Sequence, residues 1–137
     1  MMTSISKLMC GITILTVPTI AYGGYYLLTI LSGYNKTQLT DFQKSMFRAG
    51  HAHAGVLVIL SLIAQLLLGD TQMSSGLELA TRISFPLAAI LISGGFFAGA
   101  AGRGLTQPNK FIVILYSGAL ILVASLIVLG IALLKSR

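Results

Sequence analysis

Acidic residues are nearly missing from this chain. Asp41, Asp70 and Glu78 are the only three in 137 residues, and with nine Lys and Arg they bring the charged fraction to just 9%. Ordinary soluble domains carry about a quarter charged residues. Tryptophan is absent, proline occurs three times and cysteine once. A single cysteine, Cys10, excludes an internal disulfide framework and leaves the redox compartment open. The net charge of +6 therefore reflects missing acids more than abundant bases. The basic residues are scattered singly, without the cluster that nucleic-acid binding requires. That excludes nucleic acid as a partner, whereas a lipid bilayer with anionic headgroups suits such charges.

Apolar residues fill the space that charge leaves. They make up 55% of the chain, and the mean hydropathy is +0.91. A helix that crosses a bilayer needs about 20 consecutive, mainly apolar residues. Four stretches qualify: 8–31, 47–69, 83–102 and 111–134. None contains Asp, Glu or Lys, and the one arginine, Arg48, sits at an end. The runs are too long for strands and lack alternation. The pattern predicts an all-α, integral membrane four-helix bundle, with residues 1–137 as one transmembrane domain. Lys7 precedes an apolar run as in a signal peptide, but the run is too long and lacks a small-x-small cleavage site, so a retained helix is expected. Pro18 and the pair Gly23-Gly24 suggest a bend within it. Thr40 with Gln43, and Ser75 with Glu78, have the spacing of helix-starting capping boxes, and Asp41 then falls in a first turn.

Four spans place both termini at one end and the loops after the first and third spans at the other, the lip. Counting Lys and Arg, the lip carries Lys36, Lys44, Arg48, Arg103 and Lys110, against Lys7, Arg82, Lys135 and Arg137 at the opposite end. The positive-inside rule thus leans only slightly towards a cytoplasmic lip.

Both histidines lie in the run Phe47-Arg48-Ala49-Gly50-His51-Ala52-His53-Ala54-Gly55. Helical positions two apart differ by roughly 200°, so His51 and His53 face nearly opposite directions. They cannot readily grip one metal from a regular helix, where ligand pairs are usually spaced by about four residues. His51 shares a stripe with Lys44 and Arg48, which predicts a place at the aqueous lip. His53 shares a stripe with Phe42, Met46 and Ala49, which predicts burial against another helix. Three roles compete for the pair: hydrogen bonding within the fold; ligation of haem or a metal; and binding of a quinone, lipid or anion. Neutral imidazole is a common axial ligand, and basic neighbours can pair with propionates. The candidate cofactor site comprises His51, His53, Arg48, Arg103 and Tyr26, with His53 and His51 as the candidate metal ligands.

Ten rings fall in the lip half: Tyr22, Tyr25, Tyr26, Tyr34, Phe42, Phe47, Phe96, Phe97, Phe111 and Tyr116. Only Phe85 falls in the other half, whereas an ordinary aromatic belt marks both interfaces. Either these rings are bulky packing or they wall a flat apolar ligand. Gly95 and Gly99 form a small-xxx-small pair that lets helices approach closely, with internal packing favoured over contact between subunits. Thr13, Thr16, Thr19, Ser61, Gln65, Ser93, Ser117 and Ser125 are expected to hydrogen-bond between helices. No acid lies in any span, so a carboxylate relay has no members. Cys10, near the start of the first span, is distant from the histidines and reads as a packed thiol.

The His-x-His spacing on one helix resembles that of haem-copper oxidases, where it serves two haems; the other histidines of those enzymes have no counterpart here. The run from Phe47 to Gly55, with the later Gly94-Gly95-Phe96-Phe97-Ala98-Gly99, resembles small bacterial four-helix membrane proteins over most of the chain. No activity is attached to that group, so the resemblance implies a fold and a bacterial inner-membrane location but no catalytic role. The leading functional expectation is a non-enzymatic, haem- or quinone-associated accessory of a respiratory assembly, with other membrane subunits or further copies of itself as partners. A ligand-free structural or assembly subunit, and a small channel or carrier, are the alternatives.

Overall fold

A computed structural model describes residues 2–136 and is all-helical, with no strand among them. Arg137, counted above with the end opposite the lip, lies outside the described residues. The helices are α1 (Ser4–Leu15), α2 (Val17–Leu31), α3 (Asp41–Leu67, followed by a 3₁₀ turn, Leu68–Asp70), α4 (Ser75–Gly99) and α5 (Ile112–Lys135). Taken together, α1 and α2 form one long element. With it, the described residues contain four helices long and apolar enough to cross a membrane.

The break between α1 and α2 falls at Thr16, just before Pro18. Proline has no N–H to donate, so a helix loses a bond around it. Threonine hydroxyls bond to main-chain carbonyls of the same segment around it: Thr16 donates to Thr13 O at 2.7 Å and Thr19 to Thr16 O at 2.6 Å. Helix α2 runs through the Gly23-Gly24 pair without interruption. Helix α3 opens with the expected capping box of Thr40 and Gln43. The box expected at Ser75 does not form. Ser74 is the N-cap, without a side-chain bond, and Glu78 is engaged by Arg82.

Helix α4 packs along α5 on one side and α3 on the other, while α1 and α2 lean against α3. At the α4–α5 seam, a methyl group at Gly95 would collide with the main chain of Leu115, and one at Gly118 would come within 2.8 Å of Ile92 N. The glycine pair therefore serves internal packing. A core of Ala64, Leu68, Phe85 and Leu129 joins α3, α4 and α5. Burying a ring such as Phe85 contributes on the order of 1.5–3 kcal/mol in an aqueous reference. Ser6 Oγ donates to Gln65 O at 3.4 Å, and Ser136 Oγ accepts from Gln72 N at 3.1 Å. These bonds gather both ends of the described chain with the α3–α4 turn, as an even number of antiparallel passes requires.

Candidate functional site

The lip is an ordered structure. Gln43 Nε2 donates to Ala100 O at 2.9 Å and to Gly102 O at 2.7 Å, and Thr40 Oγ1 donates to Leu105 O. Asn109 takes Gly99 O through its main-chain N–H and Ala98 O through its side chain. Together they satisfy the carbonyls that the end of α4 leaves open. This capping stops α4 at Gly99, short of the predicted residue 102, and Gly102 (φ 146°) and Gly104 (φ 65°) carry the chain round.

The two histidines point to different neighbours, as their spacing predicts, but His53 is the more exposed of the two and His51 is half-buried. His51 faces α2. A methyl group at Gly24 would come within 2.8 Å of its Nε2, so the imidazole lies close against α2 at a position without a side chain. His53 is exposed, not buried in the bundle. Its ring lies against Phe96 of α4, with centroids 4.8 Å apart and planes tilted by 34°. Its Nδ1 is 2.8 Å from Ala49 O on its own helix. The difference has a simple cause: α2 packs over the His51 side of α3, whereas on the His53 side the ring meets Phe96 of α4 and stays exposed.

The remaining predicted site residues do not converge on these rings. Arg48 and Tyr26 are exposed, and Arg103 borders a shallow groove between residues 37–40 and 102–104. Phe47 stacks on Phe97 at 5.4 Å, whereas Tyr22, Tyr25, Tyr26, Tyr34 and Tyr116 are all exposed. The aromatic residues of the lip half therefore pack a seam or face outward, and none lines the cleft described next. Among the described residues, no three His, Cys, Asp or Glu side chains are placed to hold a metal ion.

The cavity lies lower, midway along the long helices. A cleft of about 300 Å³ opens at the Thr16 break, between α1 and α2 on one side and α3 and α4 on the other. Ala54, Val58 and Ser61 of α3 and Pro86, Ala89 and Ser93 of α4 line it. Its hydroxyls are mostly committed within their own helices: Thr13 to Met9 O at 2.8 Å and Ser61 to Leu57 O at 2.7 Å. Ser93 Oγ is buried and has no partner.

No family model, curated protein or solved structure matches the chain.

Of the eight polar residues expected to bridge helices, Gln65 and Ser125 do so through their side chains. Ser125 donates to Ser84 Oγ at 2.6 Å, while Ser117, like the cleft hydroxyls other than Ser93, bonds within its own helix. The residue that the sequence reading misplaced most is Arg82. Counted with the charges of the end opposite the lip, it is instead 0% exposed within α4. Its Nη1 donates to Gln65 O and Oε1, both at 3.0 Å, and its Nε donates to Glu78 Oε1 at 2.9 Å. Nη2 lies 2.8 Å from the same carboxylate oxygen, in ion-pair range but without hydrogen-bond geometry. The Glu78-to-Arg82 spacing of four was the available signal.

Pro86 completes this joint. Residue 86 would normally donate to Arg82 O, and proline cannot. Gln65 Nε2 donates to that oxygen instead, at 2.8 Å.

Proposed function

We propose that the chain is a multi-pass integral membrane protein of the bacterial inner membrane, its four spans packed as a bundle, that carries a haem within a larger respiratory assembly. The resemblance to small bacterial membrane proteins supports the compartment, and the four apolar helices support the membrane.

The observation that carries the haem is the bond between His53 Nδ1 and Ala49 O. A carbonyl only accepts, so Nδ1 bears a proton, and in the neutral ring Nε2 is then the nitrogen with the free lone pair. Metal-ligating imidazoles are commonly oriented and tuned by such a bond. The ring is exposed within an apolar run, where an unused nitrogen is costly to leave. One imidazole cannot satisfy a bare metal ion, which takes three or four protein ligands in the usual zinc sites. A porphyrin brings four nitrogens of its own and asks the protein for axial ligands only. The second axial ligand then comes from a partner: another membrane subunit or a second copy of this chain.

A ligand-free structural or assembly subunit is the rival, favoured by the dispersal of Arg48, Arg103 and Tyr26. In that case His53 Nε2 accepts a hydrogen bond from a neighbouring subunit. Purification from native membranes followed by a visible absorption spectrum decides between them. A Soret band lost in His53→Ala and retained in His51→Ala is the expected result. A colourless protein from a haem-replete host that copurifies with larger partners establishes the rival.

A further inference from the structure

We infer that the cleft at the Thr16 break is a binding site for a lipid-soluble quinone, with the Ser93 hydroxyl donating to one of its carbonyls. The inference rests on the membrane placement proposed above and is independent of a haem at His53.

Four hydroxyls besides Ser93 line the cleft, and each spends its proton on a carbonyl of its own chain: Thr13 on Met9, Thr16 on Thr13, Thr19 on Thr16 and Ser61 on Leu57. Ser93, at 8% exposure, is the exception, with an oxygen that has no partner. Ser61 bonds the carbonyl four residues back, the usual remedy for a serine inside a helix. Ser93 leaves that remedy unused, so one buried serine without a partner is among the residues of the cleft wall. Buried polar groups are nearly always satisfied, and the missing partner is an acceptor supplied from outside the chain.

The lining defines that acceptor. Among the described residues no charged side chain borders the cleft, so a phosphate or carboxylate would meet no counter-charge there. The wall is otherwise isoleucine, alanine, valine and proline, which suits a flat apolar ring. A volume of about 300 Å³ is at the small end of ligand pockets and suits a compact head, not a whole lipid. Ile12 of α1 and Ile90 of α4 are exposed at its rims, which gives an apolar tail a lateral way out. Phospholipid ester carbonyls sit at the edge of a hydrocarbon layer about 30 Å thick, whereas this cleft is midway along the helices. A quinone brings a neutral carbonyl to that depth. Its reduced form offers hydroxyl protons, which the remaining lone pairs of the threonine oxygens can accept.

The test uses full-length protein in phosphatidylcholine nanodiscs, with decylubiquinone and a short-tailed menaquinone as probes. Saturable binding of at least one quinone is expected, with its carbonyl infrared band moved to lower wavenumber. Ser93→Ala should abolish that displacement and weaken binding about five- to tenfold, the loss of one hydrogen bond. Ala54→Phe should fill the cleft and abolish binding. Should that variant fail to fold, the infrared comparison of wild type with Ser93→Ala decides alone. Absence of saturable binding overturns the inference, as does a cleft that retains only phospholipid when quinone is added. An unchanged carbonyl band in Ser93→Ala overturns it too. Haem content is recorded on the same samples, so loss of a Soret band and loss of quinone binding are separable results.

Discussion

Gln65 and Arg82 grip each other in both directions. The glutamine amide donates to the arginine main-chain oxygen, and the guanidinium donates back to the glutamine's main-chain and side-chain oxygens. Both residues are 0% exposed. Removing one partner of a buried charged network typically costs about 3–5 kcal/mol. Arg82→Leu is expected to fall in that range, and Gln65→Leu, which strands Arg82 O, at about 1–3 kcal/mol. The double variant should lose less than the sum, because the two act as one unit. Unfolding midpoints of the four proteins in one detergent provide the check. Strict additivity would show that the two residues do not cooperate.

The α4–α5 seam makes a sharper prediction, because neighbouring glycines differ. A methyl group at Gly95 collides with the Leu115 main chain, whereas one at Gly94 meets nothing within 4 Å. Gly95→Ala should therefore destabilise by about 1–3 kcal/mol, the usual penalty of overpacking. Gly94→Ala should be neutral or gain up to about 1 kcal/mol, since alanine is the better helix former. Equal thermal stabilities for the two variants would refute the close approach at Gly95.

Contact between α2 and α3 depends on Gly24 and His51. Gly24→Ala should lower the unfolding midpoint by a few degrees, roughly the effect of 1 kcal/mol. Shortening the ring by His51→Ala in the same protein should recover part of the loss, because it removes the clashing atom. If His51→Ala deepens the loss instead, the imidazole is not the group that Gly24 accommodates.

Membrane topology can be read with cysteine labels in a Cys10→Ser background. Gln38→Cys and Asn109→Cys should react with an impermeant reagent from one side, and Ser136→Cys from the other. Reaction of Ser136→Cys and Gln38→Cys from the same side would be incompatible with four passes.

The long helices were legible in the sequence because length and apolarity decide them locally. The capping box at Thr40 was legible for the same reason, since both partners lie within one turn. What failed was whatever depends on a distant neighbour. Arg82 reads as a helix-end charge until Gln65, seventeen positions away, is seen across the turn. The relation between His51 and His53 followed from helical spacing, but the absolute facing of α3 did not, because it is set by where α2 lies. The hydroxyls of the first span looked like bridges between helices. They bond instead to carbonyls of their own segment, and the cleft lies beside the break that precedes Pro18.

Pro86 reverses an intuition about helix design. Proline in the middle of a helix is ordinarily a defect, and its replacement by alanine a routine improvement. Here the missing N–H is what leaves the Arg82 oxygen open to Gln65. Pro86→Ala would return that oxygen to its own helix and put two donors in competition for it. The helix would become more regular while the joint between α3 and α4 loosened. In this protein a local flaw in one helix is the attachment point for the next, and a sequence optimised one helix at a time would remove it.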